Sequence, residues 1–582
     1  MVQSRTARVK KYFTILDWLP GYKTEWLRPD IIAALSVWSL LVPQGIAYSS
    51  IAGVPAQYGL YAALGALLGY AVFGSSGQVC TGPSAAIAAV SASVVAQWAD
   101  SGSSEWIAYT STLAVFAGLV YVVLGVLRMG WISHFLSGAV LAGFVFGFGF
   151  GLIVDQTPKI LGIPKESGSY FQVLVGVVKD VPDTSMLTLT VGVLSILMLL
   201  LFRRFLPALP RTITVVVIGI LVSNVLNLDD HGVSVVGDIP TGLPSLVRPE
   251  LPPVDLISVV LGSLAIIFIG YSESLATAKE AGRKHGYEID ASQELTAQGM
   301  ANVGSGLLGG YSVEGSLSKT TVADMAGQKT QLASLLTAGL ILLTILLLTG
   351  FFTSLPDAVL GAVVIDAGIS LIKFREYRHY RLSNRDFAAF IATALVVFFI
   401  GVLAGVVVGV AIALLLLIAS ASNSPTRQMA FDPEDRAYVY VEHHPDAELI
   451  PGIVIVGIHG PLFFADAENF RTSVEEIVAT ANPHTVVIDF GAVVMMDMDG
   501  VRALEMVVEA LRQKQIDVLL VSVHHDNMKL MRNLGTLKEV GGDNVFHTIR
   551  AAVASAQERT SPPVGSTSGS QGPAQNRRTD AS

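Results

Sequence analysis

The chain has 582 residues, of which 52% are hydrophobic and only 14% charged, with a mean hydropathy of +0.58. A soluble domain carries about 25% charged residues, so this composition excludes an ordinary soluble globule and defines a membrane protein. The net charge of −9 gives no sign of a nucleic-acid partner, because the acidic excess lies mostly in the C-terminal part and in loops. The single cysteine, Cys80, excludes an internal disulfide and a thiolate metal cluster.

In chain order, Arg5, Arg8, Lys10 and Lys11 precede WLPGY rather than an apolar core ending in small residues. No cleavable signal is read there, and 1–29 is expected to be a cytoplasmic segment. Hydrophobic length and flanking breakers then place about fourteen segments across 30–424. They fall near 30–51, 54–73, 83–97, 106–127, 131–154, 185–202, 210–227, 255–272, 291–309, 316–327, 331–351, 357–373, 386–400 and 402–422. An even number with a cytoplasmic start returns the chain to the cytoplasm. Loops on that side hold Arg128, then Arg203, Arg204 and Arg211, then Lys279, Arg283 and Lys284, and finally Lys373, Arg375, Arg378, Arg381 and Arg385. The opposite loops hold Lys159, Lys165, Lys179 and Arg248 diluted by Asp155, Asp183, Asp229, Asp230 and Glu250, which is the positive-inside asymmetry.

Two segments are interrupted. QVCTGPSAAIAAV at 78–90 and YSVEGSLSKTTVADM at 311–325 each begin with a few extended residues and then start a helix too short to span alone. Broken segments in corresponding positions of two halves mark a transporter's midplane site, and free amides at a helix N-terminus favour an anion. The third and tenth segments are seven apart, so two inverted repeats of seven spans are expected. Gly143, Gly147 and Gly151, and likewise Gly401, Gly405 and Gly409, form four-residue stripes expected to be close-packing faces.

Beyond about residue 425 the pattern changes. VYVEHH, GIVIVGIHG, TVVIDFG and DVLLVSV predict strands, and 465–480, 499–514 and 526–534 predict helices, giving a small α/β domain over 430–556. The Ser-, Gly-, Pro- and Gln-rich stretch 560–582 is expected to be disordered.

PQGIAYSSIAGVPAQYGLYAA after the first span, FIGYSESLATAK in the eighth and ANVGSGLLGGYSVEGSLSKT in the ninth-to-tenth passage carry a resemblance. From about residue 12 to 556 the chain resembles the SulP family of anion transporters, bacterial relatives of prestin and pendrin, with a C-terminal STAS domain. The resemblance implies a membrane all-α, uracil-permease-like fold of about fourteen segments in two inverted seven-helix repeats. It also implies a core domain (spans 1–4 and 8–11) moving against a gate domain (spans 5–7 and 12–14), a homodimer, and no cofactor.

The candidate site follows. Ser84 and Ala85, after Gly82 and Pro83, are placed in the first turn of the third helix, with the proline at its first position. Ser316, Leu317, Ser318 and Lys319 open the tenth, where the family places its anion contact; Ser318 would donate hydrogen bonds and Lys319 a positive field. Many family members have arginine at 319 and often proline where this chain has Ser312, so lysine gives up bidentate geometry. Gln44 and Tyr48 share one face of the first span and reach toward the same cavity. Glu273, an isolated carboxylate in an apolar helix, is the ion-coupling candidate, since the family's proton- or sodium-coupled members carry an acid there. Pairing with Lys319 would tune it. Thr277, one turn on, would add a hydroxyl if sodium were the coupling ion.

Three motifs are set aside. GSGLLGG at 304–310 contains G-x-G-x-x-G without a βαβ context, so packing glycines are expected. His443 and His444, and His524 and His525, are adjacent pairs whose side chains would diverge on a strand. The reading Asp497-Met498-Asp499-Gly500 has aspartate where STAS-like anti-sigma antagonists carry a phosphorylatable serine. Asp499 is therefore expected to cap the following helix, and the domain to be a constitutive folding and dimer-contact module. No nucleophile–base arrangement is found, so no enzyme is expected. The expectation is proton-coupled sulfate uptake by elevator-like alternating access. Bicarbonate or a dicarboxylate such as fumarate stands next, and an uncoupled anion exchanger or channel is the further alternative.

Overall fold

A computed structural model describes residues 12–131, 138–166, 168–206, 210–250, 252, 256–372, 374–421 and 426–560. The N-terminal basic cluster, Lys373 and the expected disordered tail beyond Thr560 lie outside the described residues. The chain divides into two compact units between Leu414 and Leu415, inside its last apolar helix.

In the first unit the apolar runs fold as helices α1 (Leu27–Ala52), α2 (Ala56–Phe73), α3 (Ala85–Val95), α4 (Ser104–Val126), α5 (Gly138–Leu161), α6 (Met186–Phe205) and α7 (Arg211–Leu226). They continue as α8 (Leu256–His285), α9 (Ala291–Leu307), α10 (Leu317–Met325), α11 (Leu332–Leu343), α12 (Asp357–Leu371), α13 (Asn384–Phe399) and α14 (Val402–Ala421). Seven described helices are long and apolar enough to cross a membrane by themselves; α3, at 11 residues, and α10, at 9, are not.

Two ends differ from the expectation. The fifth span runs to Leu161 rather than 154, because Asp155, which looked like a terminus, pairs with Lys165 at 2.7 Å. The eighth continues past Glu273 to His285, and its basic last turn, which suits a helix C-terminus, supplies Lys284 and His285 as partners of Asp324. Between spans lies the amphipathic helix Tyr170–Asp180, started by a capping box of Ser169 and Gln172.

Helices α1–α4 and α8–α11 pack among themselves, as do α5–α7 with α12 and α13, while α1 meets α7 and α12 across the two groups. Glycine sets the closest approaches. A Cβ on Gly299 would lie 2.7 Å from the Gly118 carbonyl oxygen, and one on Gly304 2.6 Å from that of Gly65, so α9 is wedged backbone to backbone between α4 and α2. The GSGLLGG run is thus a packing element. Backbone cannot yield as a side-chain tip can. Gly299→Val is therefore expected to cost more than about 3 kcal/mol and to abolish a monodisperse peak in detergent chromatography. Of the two stripes, Gly147 packs on Ala394 and Gly409 on Val140, as expected of close faces. Gly401 does not: it meets nothing within 4 Å and takes φ +138°, a left-handed connection between α13 and α14.

The second unit holds β3 (Thr426–Asp432), β4 (Ala437–Tyr440), β5 (Ile453–Ile458), α15 (Ala467–Ala481), β6 (Thr485–Asp489), α16 (Met498–Gln513), β7 (Asp517–Val521), α17 (His525–Leu534), β8 (Val545–Phe546) and α18 (Ile549–Thr560). The sheet order is β4-β3-β5-β6-β7-β8. The pairs from β5 to β8 are parallel, and β3 is antiparallel to both its neighbours. Val456, Ile488, Phe470, Leu504 and Leu520 build the core under α15 and α16.

Two expectations are corrected here. Asp497, not Asp499, caps α16: its carboxylate accepts from Gly500 N at 2.8 Å and Phe464 N at 2.9 Å, while Asp499 sits in the first turn. Neither histidine pair lies on a strand. His443 and His444 follow β4 in a turn, and His524 stands at the N-cap position of α17 with no side-chain bond to the helix, its Nε2 on the Gly491 carbonyl at 3.1 Å.

Candidate anion site between two half-helices

The two interruptions meet. Thr81–Gly82, called β1, pairs antiparallel with Glu314–Gly315, called β2, in the register Thr81 opposite Gly315 and Gly82 opposite Glu314. Ser316 N donates to Cys80 O at 3.1 Å, and the Thr320 hydroxyl accepts from Cys80 N at 3.0 Å. From this crossing α3 and α10 each set out as a short helix. Asn302 of α9 pins the approach to β2, accepting from Val313 N and donating to Val313 O, at 3.0 and 2.9 Å.

The two helix starts are not alike. Ser84 is the N-cap of α3, with φ −133° and ψ 152°, and its hydroxyl accepts from Ile87 N at 3.2 Å. Pro83 therefore precedes the cap instead of opening the helix, and Ala85 is the first helical residue. Its chain direction is set by pairing with β2, not by the proline. Ser316 caps α10 without a side-chain bond to the helix; its hydroxyl meets that of Ser318 at 3.0 Å. The first amides of α10 thus lack a capping side chain, and Leu317 and Ser318 are exposed. Two N-terminal dipole ends beside one another, that of α10 uncapped, form a concentrated positive field.

Lys319 is only 1% exposed, and its Nζ donates to the Pro83 carbonyl at 2.6 Å, joining α10 to the start of α3. Its stem would lie 3.6 Å from a Cβ on Gly82, and Leu41 of α1 3.2 Å from it, so α1 passes directly over the crossing. Farther along α1, Gln44 and Tyr48 are both buried. Gln44 Oε1 has no partner, and Tyr48 is within electrostatic reach of Glu273, Glu314 and Asp366. Asp366 of α12 is itself paired with Arg211 of α7 at 3.0 Å.

Helix α8 brings Glu273 and Thr277 alongside. Ser274 of that helix accepts from Gly315 N at 2.8 Å, fastening β2 to it. Glu273 is half-buried and within electrostatic reach of Lys319, and Thr277 is buried one turn on. Ser84, Ala85, Ser316, Leu317, Ser318 and Lys319 therefore lie about one crossing, with Glu273 within electrostatic reach of Lys319 and Tyr48 within reach of Glu273. Gln44 and Thr277 are buried on the same helices as Tyr48 and Glu273.

One residue was missed. Glu314, in β2, is 1% exposed, within electrostatic reach of Glu273 and Lys319 and facing Ser84. The test that singled out Glu273, a carboxylate inside an apolar stretch, would have found it; it was passed over because it stands in a polar, glycine-bearing interruption.

A multi-pass bundle with paired half-helix N-termini and a buried cation is the architecture of a membrane anion transporter. The chain belongs to the sulfate permease family, whose model matches residues 27–393, and a STAS domain matches residues 444–554. It is 30% identical over 559 residues to a probable sulfate transporter of Mycobacterium tuberculosis, covering 94% of this chain and 99% of that one. It is 27% identical to sulfate transporter 4.1 of Arabidopsis thaliana, covering 93% and 82%. The murine Solute Carrier 26 family member A9 anion transporter, solved in an inward-facing state, superposes with a TM-score of 0.87 at 26% identity, over 96% of both chains. The fourteen-helix inverted repeat fits that structure. The chain is therefore a transporter and not an enzyme.

Proposed function

We propose that this protein takes up a small inorganic oxyanion, sulfate first, together with protons. The observation that carries the reading is the crossing of β1 and β2, which sets the amide ends of α3 and α10 beside the buried Lys319. A tetrahedral dianion suits such a field, since its oxygens accept backbone N–H bonds from two directions. The relatives described as sulfate transporters support the same substrate.

Ser84, Ala85, Ser316, Leu317, Ser318 and Lys319 bind the anion, with Gln44 and Tyr48 closing the cavity from α1. Glu273 takes the coupling proton, and Thr277 would add an oxygen only if sodium replaced it. Transport proceeds by an elevator-like shift of α1–α4 and α8–α11, which carry the site, against α5–α7 and α12–α14. The transporter works as a homodimer in the plasma membrane with both termini in the cytoplasm, and its STAS unit serves as a constitutive folding and dimer contact.

The test is radiolabelled sulfate uptake into proteoliposomes under an inward proton gradient, an inward sodium gradient or neither. Bicarbonate and fumarate serve as competitors. Accumulation with protons alone is expected. Uptake that ignores both gradients would make the protein an uncoupled exchanger or channel, and displacement by bicarbonate or fumarate without sulfate flux would replace the substrate.

A further inference from the structure

The membrane unit treats its buried carboxylates in two ways. Asp30 accepts from Lys329 N at 2.7 Å and from the Thr330 hydroxyl at 2.8 Å. Glu294 accepts from Ser75 N at 3.1 Å and the Tyr70 hydroxyl at 3.0 Å, so both groups are satisfied and structural. Asp366 leaves Oδ1 without a partner among the described residues but balances its charge by pairing Oδ2 with Arg211 at 3.0 Å. Glu314 is as deeply buried, yet among the described residues no cation or backbone amide bonds its oxygens; the side chains that face them are the Ser84 hydroxyl and the Glu273 carboxyl. A buried charge so poorly partnered, beside a second carboxylate, is costly, so such a group is stable where it carries a proton.

Its position says where that proton matters. A Cβ on Gly270 of α8 would lie 3.6 Å from Glu314 Cβ, and Glu273 follows Gly270 by three residues on the same helical face. Glu273 and Lys319 are its charged neighbours; the titratable Tyr48 of α1 and Tyr121 of α4 also face it, and Cys80 faces Lys319. With both carboxylates ionised, Lys319, Glu273 and Glu314 make a net-negative site, which repels an anion. One proton makes it neutral, and only two make it positive.

We propose that Glu314 and Glu273 form a carboxyl pair that must hold two protons before a divalent oxyanion binds, so that each sulfate crosses with two protons and no net charge. This rests on the reading of Glu273 as the coupling carboxylate. Glu273 is half-buried while Glu314 is sealed, so protons reach Glu314 by way of Glu273.

The experiment uses the full-length purified protein. Proton uptake on adding sulfate is followed with a pH-indicator dye in weakly buffered detergent solution, alongside the pH dependence of sulfate affinity. The wild type is expected to take up two protons per sulfate, with affinity falling about a hundredfold per pH unit on the alkaline limb. Its gradient-driven uptake in proteoliposomes should not respond to a potassium–valinomycin potential. Glu314→Gln should take up one proton, fall about tenfold per unit, and become inhibited by an inside-negative potential. A wild-type slope of one, no proton uptake on adding sulfate, or a Glu314→Gln variant that still takes up two protons overturns the pair. The wild-type slope decides the matter even if the variant does not fold. Glu273→Gln separates the two claims. If it takes up no proton while the wild type takes up one, coupling through Glu273 stands and the pair falls; if it takes up as many as the wild type, the coupling reading itself fails.

Discussion

Glu273→Gln is expected to bind sulfate but to lose accumulation against a gradient. Glutamine keeps the size and polarity of a protonated carboxyl and removes the ability to exchange the proton. Each coupled proton multiplies the attainable concentration ratio about tenfold per pH unit of gradient, because 1.36 kcal/mol is a factor of ten. With one pH unit imposed, the wild type should concentrate sulfate at least about tenfold. The variant should equilibrate it to a ratio near one while still exchanging internal for external label. Uptake and counterflow on the same vesicles check this. Undiminished accumulation would remove Glu273 from the coupling path.

Lys319→Met is expected to abolish sulfate binding. The ammonium contributes a full positive charge beside two helix N-termini, and it braces the Pro83 carbonyl that sets the start of α3. At an effective dielectric constant of about 20 and a separation of roughly 7 Å, one unit charge is worth about 2 kcal/mol to a monovalent anion and about twice that to a dianion. A loss of at least a hundredfold in affinity follows, measured by binding of labelled sulfate to the detergent-purified variant. Lys319→Arg keeps the charge but must seat a longer, planar head in a site 1% exposed. It should recover binding in part, with a different ranking of oxyanions, because a guanidinium offers paired donors and an ammonium does not.

Much of this molecule was legible because its strongest constraint is one of length. Fourteen apolar runs, two of them too short, already imply a bundle with a broken pair, and the observed crossing of β1 and β2 is where those interruptions fall. What was obscure belongs to residues whose role depends on a neighbour far away in sequence. Pro83 looks like the first residue of a helix until β2 claims the strand before it. Asp155 looks like a helix end until Lys165 is seen to pair with it. Glu314 resembles a loop acid, and only its burial against α8 makes it part of the site. The helices Tyr170–Asp180 and α18 and the strand β3 were missed for another reason. They are short and lie outside the apolar spans, so no span-length rule detects them.

The central claim is that the anion sits between the two half-helix ends. Selenate has the shape and charge of sulfate and a selenium atom with anomalous scattering, so a crystal structure of the full-length protein soaked in selenate locates the site directly. The account predicts a single strong anomalous peak within hydrogen-bonding reach of the first amides of α3 and α10, beside Ser84, Ala85, Ser316, Leu317 and Ser318, and lost in Lys319→Met. A peak elsewhere in the bundle, or one that persists unchanged in that variant, would contradict it.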